Sequence, residues 1–269
     1  FPRMGIAQID WETRALTFHD LEVRAPATAE AIDLYEVRDV HFARLDVHGS
    51  LNGDPRDDGI GMLVRYSERV SVEDSEFHDL RIGISHTNNE HLTIRGNAFQ
   101  DMRVDGDRGG GSSWLTISDT SFRDFHPVEG DHADAIQLWT TKIAVVAHDI
   151  VISGNQITRG AGADYQGIFV ADESGVGYAR IAITGKLVSG NSYHGVFVES
   201  ARDVTITDNI VQGFVDKKSW IRIEDVDLAN VSNNQANQVI ITAEASGVTA
   251  SGNVIVALAT DGGAWALAA

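Results

Sequence analysis

The chain has 269 residues, a formal net charge of −18 at neutral pH and no cysteine. This charge argues against a nucleic acid partner, because phosphate binding needs clustered lysine and arginine. No apolar run approaches the roughly 18 to 20 residues of a membrane-spanning helix, so we expect no membrane insertion. Disulfides, thiolate chemistry and cysteine-bound zinc are excluded. A polyanionic glycan would be repelled at long range unless a local basic patch or bound Ca²⁺ reversed the field.

A repeated pattern runs through the chain. It reads apolar, polar, apolar, two small or polar residues, Asn or a hydroxyl residue, any residue, and apolar; clear copies are 70–77, 92–99, 115–122, 150–157 and 204–211. Including weaker copies, the equivalent positions are Leu21, Leu45, Ser75, Asn97, Thr120, Asn155, Asn191, Asn209, Asn234 and Asn253. Successive positions are about 26 residues apart on average.

A period of this size with β alternation predicts an all-β fold, a single-stranded right-handed parallel β-helix. We expect a solenoid of about ten coils that forms one domain over residues 1–269. The recurring Asn predicts a turn with left-handed backbone geometry, where side-chain amides of successive coils stack into a ladder. The carboxy-terminal residues are apolar and carry no polar cap, so we expect a module of a longer protein or half of a homo-oligomeric contact.

A second strand can be aligned in six coils, at 59–62, 83–86, 135–139, 167–172, 195–199 and 220–224. Its inward positions are mostly Ile or Val, so the alternate positions form columns on the outer face. One column is predicted to read Ser85, Gln137, Phe169, Phe197, Arg222, and its neighbour Trp139, Ala171, Glu199, Glu224. At the strand entrance we align Asp134, Gln166, His194 and Ser219. The preceding turns add Asp131, His132, Tyr165, Tyr193, Lys217 and Lys218.

These side chains predict a polysaccharide-binding groove on one face. Insertions at 101–113, 126–134 and 171–180 fall on the same face and would raise walls around it. The Asp105-Gly106-Asp107 segment is interpreted as a turn whose carboxylates are candidate Ca²⁺ ligands. No other cofactor is indicated.

Two reaction classes fit the groove. Elimination or C5-epimerisation of a uronate needs a carboxylate-neutralising group (Arg222, Lys217 or Gln137), a base (His194 or Lys217) and an acid (Tyr165 or Tyr193). Hydrolysis needs two carboxyl groups, which Asp131, Asp134, Asp172 and Glu199 could supply. The catalytic candidates are therefore Asp131, His132, Asp134, Asp172, His194 and Lys217. A non-catalytic glycan-binding rod, as in a tailspike or adhesin stalk, is the third interpretation.

Segments 167–172 and 193–198, the latter continuing into 203–209, resemble the central coils of bacterial mannuronan C5-epimerases. More broadly, the chain resembles the pectate-lyase-like β-helix superfamily of polysaccharide lyases, epimerases and polygalacturonase-like hydrolases. This resemblance implies catalytic roles for His194 and Asp172 and a secreted or cell-surface location. The epimerases' Tyr-Gly-Phe-Asp-Pro-His motif is absent, with Gln137 and Trp139 where its Asp and His would fall. The net charge of −18 favours hydrolysis of a neutral or weakly charged glycan, whereas the resemblance and the cluster of His, Tyr, Lys and Arg side chains favour elimination. We predict a lyase or an epimerase.

Overall fold

A computed structural model of the chain describes residues 6–9, 14–190 and 192–260. It contains β-strands and one short 3-10 turn, Pro55–Asp57. The strands are β1 Ile6–Ile9, β2 Arg14–Arg24, β3 Glu30–Tyr35, β4 Arg38–His48, β5 Ile60–Arg65, β6 Glu68–Glu73, β7 Glu76–His78, β8 Ile82–Thr87, β9 Glu90–Arg95, β10 Ala98–Gln100, β11 Asp105–Gly110, β12 Leu115–Ser118, β13 Ser121–Arg123, β14 Asp134–Thr140, β15 Ala147–Ser153, β16 Gln156–Thr158, β17 Gln166–Asp172, β18 Tyr178–Thr184, β19 Leu187–Ser189, β20 Tyr193–Thr207, β21 Ile210–Gln212, β22 Ser219–Ser232, β23 Gln235–Ala236, β24 Gln238–Ile241, β25 Ser246–Ser251 and β26 Val254–Ile255.

Every strand pairs in parallel with its equivalent one coil away, which builds three faces along the rod. Face A consists of β1, β3, β5, β8, β11, β14, β17, the first halves of β20 and β22, and β24. Face B runs from the first halves of β2 and β4 through β6, β9, β12, β15, β18 and the second halves of β20 and β22 to β25. Face C consists of the second halves of β2 and β4, followed by β7, β10, β13, β16, β19, β21, β23 and β26. The predicted parallel β-helix is confirmed.

One left-handed residue per coil forms the corner between faces B and C. Its φ lies between 48° and 68° in all ten coils, at Asp20, Arg44, Asp74, Gly96, Asp119, Gly154, Gly185, Asp208, Asn233 and Gly252. Gly, Asp and Asn tolerate this region best, which explains why they occupy nine of these positions. The left-handed residue precedes the recurring Asn instead of being the Asn itself.

The next residue in each coil forms the predicted ladder. The Ser75 amide donates to Asn97 Oδ1 at 2.9 Å, the Thr120 amide to Asn155 Oδ1 at 2.9 Å, and the Asn209 amide to Asn234 Oδ1 at 3.0 Å. Each ladder side chain thus satisfies a corner amide of the coil before it, which water cannot reach.

Asn191 was predicted to be a ladder position, and this prediction was wrong. Leu187 pairs with Gln156, so Lys186 stands after Asn155 in the ladder, and Asn191 itself lies outside the described residues. Lys186 is 2% exposed, its Nζ has no hydrogen-bond partner, and it carries no acceptor for the Asn155 amide. Burial in this apolar setting lowers the pKa of its ammonium to about 6.

The core is one continuous apolar column. The rings of Phe77, Phe99 and Phe122 stack at 5.0 and 4.9 Å on successive coils, and all three are fully buried. Burying each such side chain stabilises the fold by ~1.5–3 kcal/mol, so the core holds the faces in place.

We predict that Lys186→Asn stabilises the protein, because it completes the ladder and removes a buried amine. The folded-state pKa of about 6 lies below the unfolded value, so wild-type stability rises with pH between about 6 and 10 as the unfolded chain loses its extra proton. The advantage of the variant in urea unfolding should therefore be a few kcal/mol at pH 7 and shrink by pH 9.

Lys186→Met is the matched control, since it removes the charge and keeps a side chain of similar size without adding the ladder hydrogen bond. It should show the same pH trend but a smaller gain than the Asn variant. A gap between wild type and both variants that does not change with pH would contradict the assignment of a depressed lysine pKa.

Candidate active site

Face A carries a groove of about 470 Å³. Its floor is part of an outward column in which Ser85 pairs with Arg108, Arg108 with Gln137, Gln137 with Phe169, Phe169 with Phe197, and Phe197 with Arg222. The adjacent column of Trp139, Ala171, Glu199 and Glu224 is also in register as predicted. Gln137, Phe169 and Trp139 line the groove from the predicted columns, and Arg108 lines it as a member of the first column that was not predicted.

Arg108 was missed because Asp105-Gly106-Asp107 was interpreted as a turn, and that prediction was wrong. Asp105–Gly110 is strand β11, which inserts a whole coil between β8 and β14. Asp107 pairs with Ile84 and Ile136 at an inward position, and both Asp105 and Asp107 are fully buried. Among the described residues, no group of three His, Asp or Glu is arranged to hold a metal ion.

His132 and Asp134 form a hydrogen-bonded pair at the groove. His132 Nδ1 lies 2.8 Å from Asp134 Oδ2, and the imidazole is 53% exposed whereas the carboxylate is fully buried. Gln137 Nε2 donates to the same carboxylate oxygen at 2.9 Å, and the Asp134 backbone amide donates to Asp105 Oδ1 at 3.1 Å. Because Asp134 accepts from Nδ1–H, His132 presents Nε2 to the groove, where Gln166 Nε2 lies 2.7 Å away.

The buried carboxyls set the ionisation of this pair. The hydrogen bond that His132 donates to Asp134 raises the pKa of His132 above its ordinary value. Burial raises the pKa of Asp134, and burial together with the Asp134 charge raises the pKa of Asp105 well above its usual range. Ionisation of Asp134 therefore opposes ionisation of Asp105.

A cluster of arginines borders the same groove at Arg81, Arg103 and Arg108. Arg103 binds Asp131 through two nitrogens at 2.9 and 3.0 Å, which lowers the pKa of the Asp131 carboxyl. The guanidinium of Arg108 lies 5.2 Å from the Trp139 ring centre and 3.7 Å from Asp105 Oδ2. Local positive charge therefore exists here despite the net charge of −18.

An aromatic group continues the groove beyond His132. The Phe169 ring is perpendicular to His132 on one side and to His194 on the other, at 5.3 and 5.7 Å between ring centres. Trp220 Nε1 donates to His194 Nδ1 at 3.2 Å, so His194 carries its proton on Nε2. Burial, with Arg222 and His132 nearby, lowers the pKa of His194 to about 4 and keeps it neutral.

The predicted alignment at the strand entrance needs one correction. Asp134 pairs with Gln166 as expected, but His194 pairs with Trp220, and Ser219 pairs with Tyr193. A bulge between His194 and Val196 shifts the register by one residue. It brings Trp220 beside His194, a contact that regular alternation does not predict.

Three predicted site residues have other roles. Tyr165 is 2% exposed, stacks on Phe125 at 4.0 Å and lies outside the groove, so its predicted contact with substrate was wrong. Lys217 Nζ pairs with Asp164 at 2.6 Å, which raises the pKa of its ammonium, so it is unsuited to act as a base. Asp172 accepts from the amides of Ser174 and Gly177 at 3.0 and 2.8 Å, which anchors the following loop.

The remaining predicted residues lie further along face A, on the coils beyond the groove. Arg222 pairs with Glu224 at 2.6 Å and lies 5.9 Å from the Phe197 ring centre. Burial and the neighbouring Glu224 raise the pKa of Glu199. Tyr193 is 47% exposed and lies 5.1 Å from the Trp220 ring.

The comparison with protein families matches this architecture. Residues 17–256 match the model described as the right-handed beta helix region. The chain belongs to the right-handed β-helix family. No curated protein matches this β-helix chain significantly. The residues that the structure describes include no helix long and apolar enough to cross a membrane.

Solved structures similar to this β-helix have low sequence identity. They include the surface protein and adhesin PfbA of Streptococcus pneumoniae (TM-score 0.58, 15% identity, 88% of this chain and 67% of that chain). An alginate lyase from Paenibacillus sp. str. FPU-7 has a TM-score of 0.56 at 14% identity, over 91% of this chain and 97% of that one. The Dettilon tailspike protein matches at 0.53 and 13% over 90% of this chain, which spans 57% of the tailspike chain. At these identities the likeness establishes the fold alone.

We predict that Asp134→Asn lowers the pKa of His132, because it removes the carboxylate that stabilises the imidazolium. The titration of the His132 ring, followed by NMR, measures this directly and needs no substrate. Asp149→Asn is the matched control, since Asp149 makes the same 2.8 Å contact with His148 on face B. An unchanged His132 titration in folded Asp134→Asn would contradict the pairing.

Proposed function

We propose that this chain is a polysaccharide lyase or C5-epimerase acting on a uronate-containing glycan. The observation that carries the proposal is the His132–Asp134 pair, whose imidazole opens onto a groove bordered by Arg81, Arg103 and Arg108. A base that faces a cationic pocket is what abstraction of a proton next to a carboxylate requires.

In the proposed reaction His132 Nε2 removes the C5 proton of the uronate. Asp134 holds the opposite ring nitrogen and stabilises the imidazolium that forms, a contribution of the order of 10²–10⁴-fold for a positioned base. The guanidinium of Arg108 pairs with the uronate carboxylate, whose negative charge grows as the C5–H electrons move toward it.

The two outcomes differ in where those electrons go. In elimination they form a C4–C5 double bond, the C4–O bond breaks, and the leaving oxygen takes a proton. In epimerisation a proton returns to C5 from the opposite side of the ring. Tyr193, exposed beside the aromatic group, is the proposed acid, and the Nε2–H of neutral His194 is a hydrogen-bond donor to the sugar.

The fold and the groove support this proposal over the two other candidates. A Paenibacillus alginate lyase has this fold over almost its whole chain. Hydrolysis needs two carboxyl groups at the scissile bond. Beside His132, Asp134 is fully buried and Asp131 is held by Arg103. Asp172 is bound by loop amides, and Glu199 stands on a later coil beside Glu224, which is paired with Arg222. A binding rod, as suggested by the tailspike and adhesin, gives no reason for a buried acid behind an exposed histidine. A glycan substrate also favours a secreted or cell-surface location.

The test is a panel of polyuronates and neutral glycans, with and without Ca²⁺, in which ultraviolet absorbance and reducing ends are followed together. Both signals rise in elimination, whereas proton exchange at C5 without either signal identifies epimerisation. Reducing ends without absorbance would replace the proposal with hydrolysis, and no reaction with retained binding would replace it with a binding rod.

With an active substrate in hand, we predict that His132→Gln lowers kcat by about 10²–10⁴-fold at unchanged melting temperature. His148→Gln is the matched control, because His148 makes the same 2.8 Å contact with an aspartate away from the groove, and it should retain activity. Lys217→Met tests the competing base. A loss in Lys217→Met equal to that in His132→Gln would overturn the assignment of His132.

The pH dependence of this activity follows from the raised pKa of His132. The base acts only when neutral, so the rate should rise with pH through a value above the ordinary histidine pKa. In Asp134→Asn the rise should move to lower pH while the maximum rate falls. A rate that decreases with pH over this range would contradict a histidine base.

A further inference from the structure

The surface of face A along these columns has two halves of opposite charge, the groove itself and its continuation past His132 to Arg222. The groove carries Arg81, Arg103 and Arg108 on the two coils before His132. Of the acids next to them Asp131 is neutralised by Arg103 and Asp105 is fully buried, so the arginines outnumber the remaining acid, Glu173. A carboxylate on a bound sugar therefore meets cations on this side, with the Arg108 side chain only one-third exposed and so little screened by solvent.

Beyond His132 this surface becomes aromatic and acidic. Phe169 and Trp220 present half-buried rings, and Phe197 lies buried beside Phe169, while Glu199 and Glu224 stand side by side on the neighbouring column. The cations of this half are already paired, Arg222 with Glu224 and Lys217 with Asp164, each at 2.6 Å. The pKa of Glu199 is raised by burial and by Glu224, Asp172 and Asp225, which shows how closely these negative charges are placed.

The two halves lie along one strand column. From Arg108 to Arg222 there are four coil steps through Gln137, Phe169 and Phe197, a distance of roughly 19 Å at the usual strand spacing. This length exceeds one sugar ring, so the halves contact different sugars of the same chain.

We propose that the glycan this groove takes is a heteropolymer, in which a uronate is linked to a neutral sugar. The uronate binds against Arg108 and Arg81, and the neutral sugar binds against Phe169 and Trp220 beside Glu199. This inference rests on the proposed function and specifies its substrate class.

The physical reason is that a carboxylate in the second half would be repelled. It would face Glu199 and Glu224 with Arg222 already occupied, in a partly desolvated groove where like charges cost more than in water. A neutral sugar has no such cost. Its apolar ring face packs on the aromatic rings, and its hydroxyl groups donate to the two glutamates.

The test compares binding of two size-matched oligosaccharides by calorimetry at low salt, one made of uronates alone and one alternating uronate with a neutral hexose. We expect wild type to bind the alternating oligosaccharide at least about tenfold more tightly. Glu199→Gln should strengthen binding of the all-uronate chain severalfold, because it removes a like charge, and should weaken binding of the alternating chain, because an amide is a weaker acceptor for the sugar hydroxyl groups. Glu76→Gln, the same change at an exposed site on face C, should alter neither.

Arg108→Gln should weaken binding of both chains, because each places a uronate in the first half. Equal affinity for the two chains, tighter binding of the all-uronate chain, or no effect of Glu199→Gln would overturn the inference. Binding is measured without turnover, so a preference for the alternating chain without elimination or epimerisation would reject the lyase proposal alone. Efficient turnover of all-uronate chains would reject the heteropolymer alone.

Discussion

The parallel register between coils is the constraint on which the rest of this structure depends. Because each strand pairs residue for residue with the next, an outward side chain is held roughly 4.8 Å from its equivalent in the adjacent coil. Gln137, Phe169, Phe197 and Arg222 become neighbours this way, although about 85 residues separate the first from the last. The left-handed corner residue and the ladder residue after it give each coil the same turn between faces B and C. The strands on both faces therefore stay in register along the rod.

The coils, the outward columns and most groove residues could be predicted from the sequence, because the apolar repeat fixes which positions face inward. Strand β11 could not. Its sequence Asp-Gly-Asp-Arg-Gly-Gly has turn composition, and it is extended only because β8 and β14 pair with it on both sides. Because β11 was not predicted, Arg108 was not recognised as a groove residue. The same limit applies to Lys186. Strand pairing places it at a ladder position, although a lysine side chain cannot make the ladder hydrogen bond.

Side-chain environment was harder to predict than strand register. Asp134 at the strand entrance and Gln137 in the outward column were both predicted to line the groove, yet Asp134 is fully buried and Gln137 is nearly so. The alternation of the strand gives the direction of a side chain, but the depth depends on what covers it, here β11 and the segment that carries His132. Tyr165 shows the opposite error. It precedes its strand in a turn, where alternation gives no direction, and the turn directs the ring onto Phe125 in the core.

Burial also explains why two similar histidine–aspartate pairs differ. His132 and His148 each lie 2.8 Å from a carboxylate oxygen. Asp149 is one-third exposed and is also bound by Arg180 at 2.7 Å, which lowers its pKa to about 2 and leaves it a weak proton acceptor. Asp134 is fully buried, its pKa is raised, and its hydrogen bonds come from His132 and a neutral amide. The same distance therefore gives His132 a strong acceptor behind its ring and gives His148 a surface contact, so the partner's environment distinguishes the two pairs.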